Sequence, residues 1–446
     1  MKSYTLKERE IPLDDSWDVI VVGGGPAGCT AATAAARDWA KTLLVEATGA
    51  LGGMGTMGLV PAWCPFSDRE KIIYRGLAER VLTETRAGMP HLSEKDIDWV
   101  PIDRERLKRV YDDMVTEAGV VVRFGTMLAA VETDGESGVD ALIVTNKSGL
   151  AAQKAKVYID CTGDADLATW AGAETVKGSD TGDLQPATHC FILTNVDMYA
   201  YTTTSNPHRR TPGALIVEMA RDEKYPLIRD TFLNNCLTGP GTVGFNAGHL
   251  WDVDNTETAS MSKAMMTGRK LAAQIRDALA EYDPRAYANA FLVATGALMG
   301  IRETRRIVGD YVLTIDDYLA RRSFPDEICR NSYPVDVHHS VDEIEANIRG
   351  EVHGMGRYEH YGPGESHGVP YRCLIPKELK NVLVAGRSIS TDRDVQGSTR
   401  VMPVCLAMGE AAGAAAAMSV TAKGDVRAVD VDKLRTRLRK AGAYLP

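Results

Sequence analysis

The alternation of apolar and polar positions first picks out a βαβ unit near the N-terminus. Residues 18–23, Asp-Val-Ile-Val-Val-Gly, form a short continuous apolar run, the pattern of a parallel strand covered on both faces. A glycine turn follows at once. The alanine-rich stretch Ala27 to Ala36 then predicts a helix whose small side chains let it lie close to a sheet. Thr42 to Glu46 repeats the buried-strand pattern and completes strand, helix and strand with a right-handed crossover. Further on, apolar spacing predicts an amphipathic helix from Asp103 to Ala118, strands at 120–124, 127–133 and 139–145, and a buried strand from Lys156 to Asp160. The run 127–145 reads as a β-meander inserted into the parallel sheet.

From about 175 to 260 the pattern changes to short strands, threonines and turn residues, as expected of a second, more antiparallel unit. Ser260 to Tyr282 predicts a helix, and 285–310 is read as helical too. Residues 333–372, rich in His, Gly and Pro, predict long irregular connections, whereas Asn381 to Gly386 is another buried strand and Pro403 to Ser419 an alanine-rich helix. The expected fold is α/β: a Rossmann-type nucleotide-binding domain with an inserted β-meander, plus a second mixed or antiparallel β domain for substrate. The expected division is 1–174 for the first part of the nucleotide-binding domain and 175–260 for the first part of the substrate domain. A helical return follows over 261–332, then further substrate-domain loops over 333–372, with 373–446 completing the first domain.

A length of 446 residues suits two or three domains, and 44% hydrophobic with 25% charged residues is ordinary for a globular enzyme. The formal net charge of −9 disfavours nucleic acid or an anionic membrane as the main partner. Met1 to Trp17 is charged and lacks the apolar core of a secretory signal, and no stretch approaches a membrane-spanning run of uninterrupted apolar residues. Eight cysteines are scattered singly without any C-x-x-C, so a metal site and a disulfide framework are not expected, and a reducing cytoplasm is the expected location.

Gly23-Gly24-Gly25-Pro26-Ala27-Gly28 fits G-x-G-x-x-G. In that pattern Gly23 makes the tight turn, Gly25 lets backbone approach a pyrophosphate, and Gly28 permits close helix–strand packing. The string alone is weak evidence, since Gly239 to Gly244 matches it as well; that second match is rejected because strand-like rather than helical sequence follows it. The first match follows a strand, opens a helix and is answered by Glu46, 18 residues beyond Gly28, where an acid accepts ribose hydroxyls and repels a 2′-phosphate. Beyond Glu46, residues 48–58 carry five glycines in eleven positions, letting backbone pass beneath a long ligand. At the other end, Gly386-Arg387 closes a strand and Ser398 to Met402 leads into a helix whose N-terminus suits the pyrimidine edge of a flavin. A ligand contacted from both ends of the chain is extended, which favours FAD over a mobile NAD.

These stretches carry a specific resemblance. DVIVVGGGPAG (18–28), VEATGALGGMGTMG (45–58), DCTGDADLATWAGAE (160–174), GIRETRRIVGDYVLT (300–314), VDVH (335–338), VPYRCLIPKELKNVLVAGRSIS (369–390) and STRVMPVCLAMGEAAGAAAA (398–417) span nearly the whole chain. In this order they resemble the bacterial FAD-dependent oxidoreductases of the glutathione-reductase-like superfamily, in its fumarate-reductase-like branch. The resemblance implies that Gly23, Gly25, Gly28, Glu46, Gly53, Thr56, Met57, Gly163, Asp164, Arg387 and Val401 line FAD, and the turn residues Pro26, Ala27 and Gly386 belong with them. Cys29 departs from the alanine or serine usual at its position.

Flavin chemistry needs an acid or base beside the reacting carbon and a charge partner to orient the substrate. Arg302 is the candidate carboxylate partner, whereas Arg305 and Arg306 are read as structural, neutralised by Glu303 and Asp310. Five of nine histidines fall between 338 and 367 in no metal-binding spacing, so His338 and His367 are expected to line the active site and His360 to be surface. His249 is expected to face the flavin, and His189 is equally well a core histidine. Cys29, Cys64, Trp63 and Trp251 are read as packing residues ahead of any redox or cavity role.

With one dinucleotide unit, reoxidation by dioxygen, a quinone or a carrier protein is expected. The function expected is oxidation or reduction of a small polar metabolite, with a tRNA-modifying flavoprotein or an electron-transfer subunit as alternatives. Assembly into a homo-oligomer is left open.

Overall fold

The computed structural model describes all residues except 1–2, 6, 94, 180–181, 204–213 and 339–357. The strands Val19–Val22, Thr42–Val45, Val121–Arg123, Val157–Asp160 and Val382–Val384 form one five-stranded sheet, every pairing parallel. Val157–Asp160 lies between the first strand and the last, so residues near both chain ends are neighbours in the sheet. The first, second, fourth and last of these strands are buried throughout, which is why they read as unbroken apolar runs.

Helix Pro26–Arg37 covers this sheet, and helix Met402–Val420 packs directly on it. Small residues allow that approach. A Cβ at Gly409 would lie 2.1 Å from the Ala27 carbonyl oxygen, and one at Gly413 would lie 2.0 Å from that of Ala31. Thr30 donates its hydroxyl to the Leu406 carbonyl at 2.7 Å, bridging the two helices. Among the described residues Met402–Val420 is the one helix long and apolar enough to cross a membrane, yet 78% of that stretch is buried inside the protein.

The meander forms a sheet of its own. Met127–Thr133, Val139–Asn146 and Gly149–Gln153 pair antiparallel, and Leu13–Asp14 closes the edge in parallel. A second apolar core lies under a four-stranded antiparallel sheet, ordered Leu233–Gly239, Thr242–Ala247, Phe191–Thr194 and Phe291–Thr295, with helix Thr258–Tyr282 against it. The rejected glycine match, Gly239 to Gly244, is the hairpin turn of this sheet, with Gly241 at φ +57°.

The helical expectation for 285–310 is corrected. Only Pro284–Tyr287 is helical there; Phe291–Thr295 pairs with Phe191–Thr194, and Arg305–Ile307 pairs with Thr175–Lys177. The helical return expected over 261–332 is thus helical only in part. Phe-Leu-Val-Ala-Thr is rich in strand-forming residues, and its exposed positions, Phe291 and Val293, alternate with half-buried ones.

Candidate functional site

Two adjoining cavities meet at Met54, Arg400 and Met402. The first, about 350 Å³, runs along the carboxyl ends of the parallel strands. Its walls include Gly23, Gly25, Pro26, Ala27, Glu46, Gly53, Gly163, Gly386 and Arg387. Gly23 sits at φ +97°, and a Cβ there would lie 2.4 Å from the Cys161 carbonyl oxygen. At Gly25 a Cβ would meet nothing within 4 Å, so the space over that backbone is open for a ligand. Gly25 caps helix Pro26–Arg37 without any side-chain hydrogen bond, leaving the helix N-terminus to an anion.

Glu46 is buried, and its two carboxylate oxygens accept the Gly24 and Thr48 amides at 2.7 Å each. Those bonds aim the carboxylate at the cavity wall and leave further lone pairs for hydroxyls. Arg387 donates from Nη2 to Asp164 at 2.6 Å, while its Nη1 is buried with no partner among the described residues. An unpaired guanidinium nitrogen, an uncapped helix N-terminus and a buried acid fit a dinucleotide with phosphates between two polar ends.

Several expected residues sit behind this wall. Gly28 serves packing: a Cβ there would lie 1.7 Å from the Gly23 carbonyl oxygen. Thr56 donates to the Leu51 carbonyl at 2.6 Å, and the Met57 carbonyl accepts the Ala297 and Leu298 amides, so both fold the loop. Asp164 is buried among Arg387, Thr304 and Asn255, acting on the cavity through Arg387. Val401 borders the second cavity.

That second cavity, about 600 Å³, shares Met54, Arg400 and Met402 with the first. Helix Met402–Val420 begins at this junction, with no side chain capping it and Pro403 in its first turn. Arg302 lines the cavity, donating from Nη1 to the Pro186 carbonyl at 2.6 Å and to Thr188 Oγ1 at 2.9 Å. Its guanidinium lies over the Phe232 ring, 5.2 Å from the centroid. Burial, and then Arg400, bring its pKa down to about 10, so it stays cationic at neutral pH.

Glu303 and Asp310, the acids near it in sequence, pair with other arginines. Glu303 binds Arg306 at 2.8 Å and Arg393 at 3.1 Å, Asp310 binds Arg427 at 3.0 Å, and Arg305 binds Asp166 at 2.9 Å. Two buried glutamines hold Arg302 and His338 instead. Gln396 donates to the Arg302 carbonyl at 2.7 Å, Gln185 donates to Gln396 at 3.2 Å, and the His338 amide donates to Gln185 at 3.2 Å.

His338 lines the cavity, with its Nδ1 2.7 Å from His249 Nε2. His249 Nδ1 in turn stands 2.6 Å from Asp230 Oδ2. On the other side His338 Nε2 is 3.4 Å from Asp336 Oδ2, and Asp336 also accepts from Tyr333 at 2.9 Å and Arg400 at 3.1 Å. Burial and then the Arg302 charge hold His338 well below the usual imidazole pKa. Burial opposes ionisation of Asp336, yet His338, Arg400 and Arg302 hold its carboxyl well below the ordinary carboxylate range.

The expectation for His367 is corrected. It is fully buried away from the cavities, bonded through Nδ1 to Tyr361 at 2.7 Å, and burial lowers its pKa to about 3. His189 is a core residue with Nε2 2.8 Å from the Gly296 carbonyl oxygen, and His360 is exposed. His339 and His353 lie outside the described residues. Cys29 is buried against the Gly24 carbonyl with its pKa raised by burial. Trp63 is core, and Trp251 packs edge-on to His249 at 5.7 Å. Cys64 does reach the cavity wall, joined by Cys190 and Cys236, and burial pushes each thiol up to about 12. None is a thiolate at neutral pH.

A buried parallel sheet, a glycine turn into an uncapped helix and an acid ending the next strand define a dinucleotide-binding enzyme of the Rossmann type. The chain matches the family described as FAD dependent oxidoreductase over residues 18–438, and it belongs to that family. It is an FAD-dependent oxidoreductase. It is also 32% identical over 118 residues to glutathione reductase of Schizosaccharomyces pombe, a match covering 24% of each chain. Solved structures resemble it at low identity. A geranylgeranyl bacteriochlorophyll reductase-like protein from Thermoplasma acidophilum is 12% identical, covering 97% of this chain and 84% of that one, with a TM-score of 0.49. The flavin-dependent brominase Bmp2 is 13% identical, covering 95% and 83%, with a TM-score of 0.47.

Proposed function

We propose that the protein oxidises or reduces a small polar metabolite carrying a carboxylate or hydroxyl group, within the fumarate-reductase-like branch of flavoenzymes. The observation that carries this reading is the buried Arg302 guanidinium, which pairs with no carboxylate among the described residues, in a cavity that adjoins the nucleotide cradle. The glycine turn and Arg387 would hold the phosphates of FAD, Glu46 its ribose, and Val401-Met402 the flavin end. Bound FAD supplies a two-electron acceptor and donor at flavin N5. Arg302 orients the substrate carboxylate, Arg400 adds positive charge at the junction of the cavities, and His338 holds or takes the proton that accompanies hydride movement. The antiparallel sheet, through Asn234, Asn235 and Asn246, supplies neutral polar contacts on the far wall.

Anaerobic mixing of the holoenzyme with a panel of hydroxy acids, amino acids and unsaturated acids tests this, read by bleaching of the visible flavin band. At least one carboxylate-bearing class should bleach it, and the corresponding amides should fail. NADH and NADPH should reduce it slowly or not at all. Rapid reduction by either nicotinamide, with no response to any acid, would contradict the reading.

A further inference from the structure

Resting on that reading for the nature of the substrate, the geometry points to a proton relay in which Asp230 sets the tautomer of His249, and through it makes His338 Nε2 the acceptor of a substrate hydroxyl proton. Four groups stand in line. The contacts are 2.6 Å from Asp230 Oδ2 to His249 Nδ1, 2.7 Å from His249 Nε2 to His338 Nδ1, and 3.4 Å from His338 Nε2 to Asp336 Oδ2.

The three contacts along this line, among the described residues, need three protons, but two neutral imidazoles bring only two N–H groups. A carboxylate oxygen and a bare ring nitrogen repel each other, so the short contacts are the ones holding protons. The long one, beyond the usual range of about 2.7–3.2 Å, is empty. Both rings therefore carry hydrogen on Nδ1, and the bare nitrogen is Nε2 of His338, which with Asp336 lines the cavity.

The frame is rigid. Asp230 is buried and its carboxylate accepts the Phe232 amide at 2.9 Å and the His249 amide at 3.2 Å. Phe232 stacks on His249 with centroids 4.3 Å apart and meets His338 edge-on at 5.1 Å. Among the described residues, the charged and titratable groups facing His338 are Asp336 on its own segment, Arg302, Arg400 and Tyr333 around the cavity, and His249 with Asp230 behind it. Asp336 is already engaged by Arg400 and Tyr333, which leaves the imidazole as the group to be protonated.

In the proton step the substrate O–H bond breaks, its electron pair stays on oxygen, and the proton forms the Nε2–H bond of His338. All three contacts are then filled, and the now cationic His249–His338 pair lies between the carboxylates of Asp230 and Asp336. An alkoxide releases hydride more readily than an alcohol does. The relay therefore serves oxidation of a C–OH group; alkene reduction needs a proton delivered instead.

Long-range ¹⁵N NMR of histidine-labelled holoenzyme at pH 7, with signals assigned by loss in His249→Gln and His338→Gln, reads the tautomers without any substrate. Nδ1–H on both rings is expected; a neutral His338 carrying hydrogen on Nε2 would overturn the proposal. In Asp230→Asn the His249 tautomer should change with FAD content retained. Reduction by the hydroxy acid found in the panel should fall about 10²–10⁴-fold. Loss of the carboxylate makes the relay less basic, so the acid limb of the rate profile should move to lower pH. Unchanged tautomers and rates in Asp230→Asn would refute it. A panel with no active acid would remove the proposed function while leaving the tautomer result to stand or fall by itself.

Discussion

Gly28→Ala is expected to yield little folded protein and no bound flavin. The added methyl would sit 1.7 Å from the Gly23 carbonyl oxygen and 3.3 Å from Cys161 Cβ. The closest obstacle is backbone at the tightest turn of the sheet, so the helix must move off the strands that it covers. That displacement costs more than the roughly 1–3 kcal/mol of ordinary overpacking. Gly25→Ala provides the contrast. Its φ of −72° suits alanine, and a Cβ there meets no protein atom within 4 Å. This variant should fold with a near-normal melting temperature while its FAD content drops, because the methyl occupies the space where phosphate approaches backbone. Melting temperature and visible absorbance per mole of protein, taken on both variants, separate a folding defect from a blocked cradle. Equal FAD content in Gly25→Ala and the parent would remove the phosphates from that turn.

Replacing Arg302 should have the largest effect on turnover among changes that spare the fold. Arg302→Lys keeps a positive charge but loses the planar fork, and Arg302→Ala loses both. Substrate-driven flavin reduction should fall about 10²-fold or more in the lysine variant and further in the alanine variant, the scale of a lost charged donor in a water-poor site. FAD content should not change, since Arg302 borders only the larger cavity. A structural role would instead show as a lower melting temperature with normal reduction per folded molecule. That outcome is disfavoured by the actual partners of Glu303 and Asp310, which are Arg306, Arg393 and Arg427.

The residues that make the nucleotide cradle were legible because their constraints are local. A strand buried on both faces, a turn that only glycine fits and an acid one strand later are close together in sequence. The two-ended construction was legible too, since Val382–Val384 and Met402–Val420 read as a strand and a buried helix and now stand beside the first βαβ unit. What failed depended on distant partners. Phe291–Thr295 does not read as strand from its own sequence because its pairing strand, Phe191–Thr194, lies a hundred residues earlier. His367 looks like its neighbours in a histidine-rich stretch, yet Tyr361 and Tyr318 of the core beneath the parallel sheet bury it away from the cavities. Asp230 carried no motif at all. Its importance arises only when its loop meets His249 and His338, the latter more than a hundred residues away. Asp336 was within reach, being the acid of the Val-Asp-Val-His stretch, but nothing in that string shows it turning toward Arg400 and Tyr333.

Everything proposed for the larger cavity depends on FAD lying in the cradle on the parallel sheet. Denaturing the purified protein and identifying the released chromophore by chromatography and mass tests it most directly. The protein should be yellow and release FAD, close to one per chain when fully loaded. Release of FMN, or of NAD with no flavin, would contradict it.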